Sequence, residues 1–557
     1  MKRLVGCIIS VMCVVALNAQ VLLRNLGERA FLEVDGQPML ILGGELSNSA
    51  ATCVQDIDRV MPQMKAAGLN TVLVPAQWDL IEPEEGHYDF SLIDTTIFRA
   101  RENGLKVIFL WFGAWKNSMS CYAPLWFKEN VKRFPRAMTH QGKPLEIASA
   151  FSENVFEADN RVFASFMQHI KEIDGKEHTV IMIQVENEIG MLEDARDHSP
   201  LAQKAYNELI PGKLRKVLGI NSAVKWSDVI PADQYTGDDV LAFHEQFMAW
   251  HYACYVERLA LTAKHIYDIP LFVNAAMNSR GRKPGEYPSA GPLAHLADIW
   301  KLGAPHISFL APDIYDTGFK GWAQKYDMGK KNPLFIPESK CCVNSGVRAI
   351  YVFGEHEGIG FSPFAIDRGT DAELGQVSQA YSMLKELSPL LLKYRGKNMI
   401  RGVLIDQEDK ETVIEEDDRI LTCRHYFTLP WDARANDGSV WREGGAVIVR
   451  LNSNEYIIAG SGVVVTFQTR TEHRQTENRR LGEDGFAESG SGQGRNVASP
   501  VFSGKRIGIG TVDEVHVESD GTLVYQRRLN GDENHQGRHV RIGIDDYQIL
   551  HVRLYEY

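Results

Sequence analysis

The sequence has few cysteines and no pattern in which cysteine or histidine would hold a metal ion. Eight cysteines occur among 557 residues, and no two of them are spaced as Cys-x-x-Cys. The seventeen histidines include no His-Glu-x-x-His arrangement. A zinc site or a dense disulfide framework is therefore not expected, and neither is a metal or another cofactor, although one or two disulfides would be compatible with an exported chain.

Excess positive charge and long apolar runs are absent as well. There are 60 basic against 72 acidic side chains, which gives a net charge of −12. Nucleic acids and anionic lipids both bind basic surfaces, so neither is expected as a partner. No segment after the N-terminus is apolar enough to cross a bilayer, and we expect no membrane insertion. The composition, 44% hydrophobic and 24% charged, is that of a globular protein with two or three domains.

The first nineteen residues are typical of an export signal. Lys2 and Arg3 precede an apolar run, and Leu17-Asn18-Ala19 resembles a signal-peptidase site. The run is too short to span a membrane comfortably, which favours a cleaved signal over an anchor. Cleavage would change the net charge from −12 to −14 because it removes two basic residues and no acidic one. We therefore expect a periplasmic or extracellular protein.

Apolar runs alternate with helix-period segments over residues 20–395, after an N-terminal β-hairpin that turns at Asp35-Gly36. The predicted strands are Met39–Leu42, Thr71–Val74, Lys106–Leu110, the run from Val180, Pro270–Asn274, His306–Leu310, Asn332–Ile336 and Gly358–Phe364. The predicted helices are Gln55–Ala67, Ser91–Asn103, Phe156–Ile173, Val240–Ile266, Pro292–Leu302 and Ala372–Leu387. Eight strands, most of them with an intervening or following helix, indicate an α/β fold, a (β/α)8 TIM barrel, with an insertion at about residues 194–238.

The pattern changes near Gly396, where short alternating runs separated by turn clusters replace the helices. The predicted strands are Gly402–Ile405, Arg419–Phe427, Ala446–Leu451, Ile457–Phe467, Arg506–Val512, Leu523–Arg528 and Tyr547–Tyr557. This pattern predicts a β-sandwich, jelly-roll-like, over residues 396–557. The segment at residues 488–494 is predicted to be a flexible loop.

Unusual polar and aromatic residues lie just after the predicted barrel strands. Active sites of such barrels are built from the loops at the carboxyl ends of the strands. These loops contribute Glu45, Gln77, Trp115 with Asn117, Glu188, Asn278, Tyr315, Glu338 and the Phe361-Ser362 pair. If the barrel forms, we expect these residues to converge on one cleft.

Glu188 and Glu338 end the fourth and seventh barrel strands, which lie on opposite sides of the barrel mouth. Two facing carboxyl groups can cleave a glycosidic bond, one as nucleophile and the other as proton donor and later base. We predict that Glu338 attacks and that Glu188 is the acid and base, its pKa raised by burial and by Glu338. Asn187 would bind the sugar 2-hydroxyl, and Tyr315 would hold Glu338 in position.

The remaining site predictions concern sugar contacts. Tryptophan side chains could offer apolar faces to sugar rings, and polar side chains could bind hydroxyls. The residues predicted for these roles are Trp78, Trp111, Trp115, Asn117, Glu45 and Gln77. Trp78 could equally be core packing, Glu45 a loop brace, and Lys116 a solvated charge.

The stretch Gln184-Val185-Glu186-Asn187-Glu188-Ile189-Gly190 resembles the acid/base motif of glycoside hydrolase family 35, the β-galactosidase family. The stretch from Trp78 to Gly86 is similar to that family's motif after strand two, with Asp79 and Ile81 in place of Asn and His. The family's motif after strand three is absent, and Trp111–Asn117 stands there. The segment from Arg527 to Arg538 resembles a bacterial subgroup with its own C-terminal β-domain.

This resemblance implies a retaining exo-β-glycosidase that acts on the terminal galactose of an oligosaccharide. Three other functions remain open. The barrel could remove a different terminal sugar, could bind glycans without cleaving them, or could be a metal-dependent hydrolase. The sequence does not define the oligomeric state.

Overall fold

The computed structural model describes residues 20–278, 280–429, 431–476 and 504–557. The expected signal peptide, residues 1–19, and the expected loop at residues 488–494 lie outside the described residues. Within those residues, no helix combines the length and apolar character that crossing a bilayer requires.

Among residues 20–278 and 280–364, thirteen segments are strands. They are β1 (Val21–Leu26), β2 (Arg29–Val34), β3 (Gln37–Met39), β4 (Ile41–Glu45), β5 (Thr71–Gln77), β6 (Lys106–Phe112), β7 (Arg136–Met138), β8 (Pro144–Ala148), β9 (Val180–Gln184), β10 (Leu271–Ala276), β11 (Phe309–Ile314), β12 (Phe335–Lys340) and β13 (Gly360–Phe364). Eight of these form a closed parallel barrel in the order β4-β5-β6-β9-β10-β11-β12-β13. The predicted (β/α)8 barrel is confirmed.

Helices surround the barrel and fill its insertions. They are α1 (Val54–Ala66), α2 (Trp78–Ile81), α3 (Ser91–Glu102), α4 (Leu125–Glu129), α5 (Glu153–Asp174), α6 (Pro200–Tyr206), α7 (Gly212–Val217), α8 (Trp226–Val229), α9 (Asp238–Ile266), α10 (Ala297–Gly303), α11 (Phe319–Tyr326), α12 (Ser345–Glu355) and α13 (Asp371–Tyr394). Helix α1 carries one buried apolar stripe, formed by Ile57, Val60, Met61 and Met64. The barrel strands are buried on both faces, as expected for a parallel sheet covered by helices.

Several boundaries differ from the sequence prediction for local reasons. The seventh barrel strand begins at Phe335 rather than Asn332, because the Asn332 side chain bonds the backbone of Leu310 and acts as a brace. The sixth strand begins at Phe309 and not at His306. The last helix runs to Tyr394, beyond the predicted end at Leu387, and Pro389 lies inside it.

The N-terminal hairpin is part of a small antiparallel sheet formed by β1, β2 and β3. Its turn uses Asp35 and Gly36, both with positive φ (54° and 75°), the conformation that a tight hairpin turn requires. The hairpin of β7 and β8 was not predicted.

In the C-terminal part, residues 396–429, 431–476 and 504–557 form ten strands and one α-helix. They are β14 (Ile400–Ile405), β15 (Glu411–Glu415), β16 (Arg419–His425), β17 (Gly444–Arg450), β18 (Glu455–Ser461), β19 (Val463–Thr469), β20 (Ile507–Val517), β21 (Leu523–Leu529), β22 (Val540–Ile542), β23 (Gln548–Glu556) and α14 (Arg470–Thr476). They form a six-stranded sheet, β14-β17-β18-β23-β20-β21, and a four-stranded sheet, β15-β16-β19-β22. Both sheets are antiparallel and share one apolar core, as a sandwich does.

The prediction of one continuous strand over Ile457–Phe467 was wrong, because Gly462 separates two strands, β18 and β19, that belong to different sheets. Gly462 has φ +71°, a conformation that favours glycine and reverses the chain. The sandwich packs on the barrel through α12, which contacts β14 and β17. A bidentate ion pair between Arg348 of α12 and Glu443, at 2.6 and 2.8 Å, joins the barrel to the sandwich.

Candidate active site

Glu188 and Glu338 meet at the mouth of the barrel. Glu338 lies on β12 and Glu188 follows β9, and oxygens of the two carboxyl groups and of Asp313 all lie within 4.8 Å of one another. All three side chains are buried. The sequence reasoning placed the two glutamates in one cleft, and the structure brings them together.

Three side chains donate hydrogen bonds to the Glu338 carboxylate. The Tyr315 hydroxyl donates to Oε2 at 2.5 Å, and the amides of Asn187 and Asn274 donate to Oε1 at 3.3 Å each. Burial, followed by the Glu338 charge, raises the pKa of Tyr315, so the phenol keeps its proton and remains a donor. These bonds stabilise Glu338 as an anion with a fixed orientation.

Glu188 is held differently. Its backbone N–H donates to the Asn274 side-chain oxygen at 2.9 Å, and the Asn117 amide donates to its carboxyl group. Burial first, and the charge of Glu338 second, raise the pKa of Glu188 to about 7. Glu188 can therefore hold a proton near neutral pH while Glu338 accepts hydrogen bonds as an anion. The two carboxyl groups thus have the opposite environments that an acid and a nucleophile require.

Lys116 lies inside the site and is not the solvated charge that one sequence interpretation allowed. It is buried, and its ammonium donates to the Asn187 side-chain oxygen at 3.0 Å. This bond fixes which end of the Asn187 amide faces Glu338, since only the amide nitrogen can donate. Burial by itself lowers the pKa of Lys116, but the charges of Glu338, Glu188 and the neighbouring carboxyls outweigh it, so Lys116 stays a cation.

Two further carboxyls, Glu45 and Asp313, face the pair. Burial and then the Glu338 charge raise the pKa of Glu45 well above its ordinary value, and the same two causes raise that of Asp313. Burial and the Glu338 charge thus favour the protonated form of both groups. Glu45 is fully buried beneath the site.

A second pair of buried carboxyls supports the end of the fourth barrel strand. Glu186 accepts from the backbone N–H of Trp115 at 2.8 Å, and burial with the adjacent Asp159 raises its pKa well above its ordinary value. The close approach needs a glycine at 113, where a Cβ would lie 2.7 Å from Asp159 and 2.9 Å from Glu186. Glu186 and Glu188 both have positive φ, 60° and 46°, which is uncommon outside glycine and clusters at functional sites.

The tryptophans predicted to contact sugar belong to the core. Trp111 is fully buried, packs on Phe163 and Phe166 of α5, and donates to Asp159 at 3.0 Å. Its position on β6 points it outward, toward the helices. Trp115 is also fully buried, edge-on to Tyr252 and Tyr255 of α9. The predictions for these two side chains were wrong.

Trp78 and Gln77 also lie away from the pocket. Trp78 is fully buried, donates to Glu82 and packs on Phe127. The Gln77 side chain donates to the backbone of Asn48 and lines a separate cavity between β5 and α3.

Two other predicted loops contribute little to the pocket. Asn278 bonds Arg282 within its own loop, and the residue of β10 that enters the site is Asn274. Phe361 packs against Phe319 of α11.

The pocket beside Glu188 has a volume of about 170 Å³. Its lining residues are Glu188, Ala276, Met277, Asp313, Ile314, Tyr315, Asp316 and Trp322. The aromatic walls are thus Trp322, which the sequence reasoning missed, and Tyr315, which is 40% exposed although its hydroxyl is engaged. An oxygen-rich pocket with two aromatic faces is suited to a sugar ring.

Three residues of this site were not anticipated: Asp313, Asn274 and Trp322. A signal existed for the first two, since each interrupts an apolar barrel strand with a polar side chain. Trp322 lies on α11, a helix that the sequence did not predict.

Two segments match family models. Residues 51–237, the first half of the barrel, match the model of glycoside hydrolase family 42, described as β-galactosidase. This part of the barrel is therefore similar to glycoside hydrolases of the β-galactosidase type. Residues 377–541 match a domain of unknown function, DUF5597, whose range begins inside α13.

The particular family differs from the one that the sequence resembles. The matched model is that of family 42 and not family 35. Both are β-galactosidase families, so the model and the motif around Glu188 agree on a resemblance to β-galactosidases but not on the particular family. Among solved structures, the β-galactosidase from Bacillus circulans sp. alkalophilus is similar, with a TM-score of 0.48 and 14% identity over 63% of this chain. The alignment spans 57% of that enzyme. No curated protein matches the chain.

Proposed function

We propose that the protein is a retaining exo-β-glycosidase that removes terminal β-linked galactose from oligosaccharides. The observation that carries the proposal is the separation of the two carboxyl groups, whose oxygens lie within 4.8 Å. Retaining glycosidases hold their two carboxyls about 5–5.5 Å apart, whereas inverting enzymes leave room for a water at about 6.5–9.5 Å. The short separation favours direct attack on the sugar.

In the first step Glu338 attacks the anomeric carbon, and Glu188 gives its proton to the departing glycosidic oxygen. A covalent bond forms between the sugar and Glu338, and the aglycone leaves as an alcohol. In the second step Glu188, now a carboxylate, takes a proton from water, which attacks the same carbon and releases Glu338. A pKa of about 7 suits a group that must donate and then accept a proton.

The amide of Asn187 points at the nucleophile and is oriented by Lys116. In this position it can bind the sugar 2-hydroxyl, a contact expected to strengthen as positive charge develops at the anomeric carbon. Tyr315 donates a hydrogen bond to Oε2 of Glu338, and Asn187 donates one to Oε1. The two bonds together hold the carboxylate in one orientation for attack.

The pocket volume supports exo action. About 170 Å³ corresponds to roughly six water volumes and is smaller than the roughly 300–1,000 Å³ of sites for drug-sized ligands. One sugar ring is the size of ligand that this space suits. The proposal of galactose rests on the family 42 model and on the family 35 resemblance of the motif around Glu188.

Two isosteric variants and one substrate panel test the proposal. Glu188→Gln and Glu338→Gln should each abolish hydrolysis of an aryl β-galactoside while the circular dichroism spectrum stays unchanged. Near-normal activity in either variant would remove that residue from the mechanism. A panel of aryl β-glycosides decides the sugar, and a preference for another glycoside would reject galactose but keep the mechanism.

A glycan-binding barrel without catalysis is the first alternative. It would bind an oligosaccharide tightly and turn over no member of the panel. A metal-dependent hydrolase is the second, since three carboxyl groups lie close together. However, the amides of Asn117, Asn187 and Asn274 donate hydrogen bonds to this cluster, and these donors compete with a cation. Activity that survives a chelator would reject this alternative.

We also propose that the chain is exported with cleavage near Ala19. The support is the basic and then apolar start of the sequence. Mass spectrometry of the protein from a periplasmic or culture fraction should find Gln20 at the N-terminus.

A further inference from the structure

Asp313 lies between the two glutamates and has no role in the mechanism above. It projects from β11 opposite Glu338, its register partner on β12, and its carboxyl oxygens lie within 4.8 Å of those of both glutamates. Only 2% of the side chain is exposed. Three carboxyl groups at this spacing cannot all be anions, because like charges in a buried site repel strongly.

Asn274 determines which oxygen of Asp313 is free. Its amide nitrogen donates to Asp313 Oδ2 at 2.7 Å and also reaches Glu338, while its oxygen accepts from the Glu188 backbone. Asp313 Oδ1 is buried and accepts no hydrogen bond within the described structure. An oxygen without a donor is the one on which a proton is best placed, and that proton can point at Glu188.

The charged and titratable groups around Asp313 come from five elements, and only one of them is a cation. They are Glu45 at the end of β4, Lys116 after β6, Glu188 after β9, Glu338 on β12 and Tyr326 at the end of α11, together with Tyr315, which directly follows the strand of Asp313. The cation is Lys116, whose ammonium donates a hydrogen bond to Asn187. The surroundings therefore favour the neutral form of Asp313 over its anion.

We infer that Asp313 is a positioning residue held as a neutral acid, which donates a hydrogen bond to Glu188 and stabilises the Glu188 carboxylate once its proton has left. The inference rests on the proposed function and deepens it. Burial and the Glu338 charge raise the pKa of Asp313, and the bond between Asp313 and Glu188 lowers the pKa of Glu188. The Asp313 proton stays on Asp313 throughout both steps. Only the Glu188 proton moves, to the leaving oxygen and back from water.

The pH dependence of kcat/KM gives a test with a definite sign. The high-pH limb of the profile reports loss of the Glu188 proton from the free enzyme. Asp313→Leu, which removes the donor and keeps the branch at Cγ, should raise the Glu188 pKa and move this limb to higher pH by about one pH unit. Asp313→Asn retains an N–H donor of the same shape, and its limb should stay within about 0.3 pH units of wild type.

Each alternative gives a different result. If Asp313 were an anion, both substitutions would remove a negative charge next to Glu188. The high-pH limb of each variant would then move to lower pH. No shift in the leucine variant, or an equal shift in both variants, would also overturn the inference. Asp313→Ala replaces the leucine variant if that protein does not fold.

Leaving-group dependence gives a second readout. Asp313→Leu should lose about 10- to 100-fold in kcat/KM on an aryl galactoside with a poor leaving group, and much less on an activated one that needs no proton. Equal losses on both substrates would indicate a merely structural role and overturn the inference.

Glu188→Gln separates this inference from the proposed function. If the glutamine variant keeps the wild-type limb, Glu188 is not the acid and both proposals fall. If it loses the limb while the Asp313 variants do not shift it, only the inference falls.

Discussion

Removing the Tyr315 hydroxyl gives a quantitative test of how the nucleophile is held. The hydroxyl donates to Glu338 Oε2 at 2.5 Å, and the ring is already 40% exposed, so Tyr315→Phe should leave the fold intact. A hydrogen bond to a charged group contributes roughly 1.5–3 kcal/mol, which corresponds to about 10- to 150-fold in rate. Asn187 and Asn274 still donate to the other oxygen, so we expect the lower part of this range.

The assay is kcat/KM for an aryl β-galactoside at the pH optimum, together with the thermal melting temperature. Tyr206→Phe is the matched control, because it also removes one tyrosine hydroxyl, which donates to the backbone of Ile230 in the insertion and touches no carboxylate. The control should keep wild-type kcat/KM. A change below about threefold in Tyr315→Phe would refute the assigned role of this bond.

Three further results are expected. In wild type, kcat/KM should fall as pH rises through about 7, because the raised pKa of Glu188 keeps the acid form only up to that value; a profile flat to pH 9 would contradict this. Lys116→Met should lower kcat/KM at least about tenfold, because the Asn187 amide loses the hydrogen bond that orients it. It should also move the high-pH limb to higher pH, because Lys116 lowers the pKa of Glu188. An unchanged limb would reject this electrostatic role. Burial and the neighbouring Asp159 raise the pKa of Glu186 in the folded protein, so the free energy of unfolding should fall as pH rises above the ordinary range of a carboxyl, by up to about 1.4 kcal/mol for each pH unit. Glu186→Gln should flatten this fall in urea unfolding followed as a function of pH, and an equal slope would contradict the buried pair.

The barrel and the two glutamates could be predicted because local pattern encodes them. Apolar runs followed by glycine-terminated helices define the strand ends, and a carboxylate directly after a buried strand stands out against its surroundings. Parallel strands then place Glu188 and Glu338 at the same end of the barrel without further information.

The sugar contacts could not be predicted to the same degree because they depend on which way a strand's side chains point. Trp111 lies between Leu110 and Phe112 in a run that is apolar on both faces, so the sequence does not tell inward from outward positions. The structure turns it toward α5.

Lys116 illustrates a different limit. Its burial is stable only because carboxyls from four separate strands surround it, and no local pattern encodes that convergence. A lysine in a polar loop is ordinarily solvated, and the residues that make this one an exception lie up to 222 positions away.

The central claim is that Glu338 becomes covalently bonded to the sugar, and trapping that intermediate tests it most directly. A 2-fluoro galactoside with an activated leaving group slows the second step more than the first, so the glycosylated enzyme accumulates. Peptide mass spectrometry should then find one sugar on the peptide that contains Glu338, with none in Glu338→Gln. A label on another residue, or complete turnover of an ordinary galactoside with inversion at the anomeric carbon, would contradict the account.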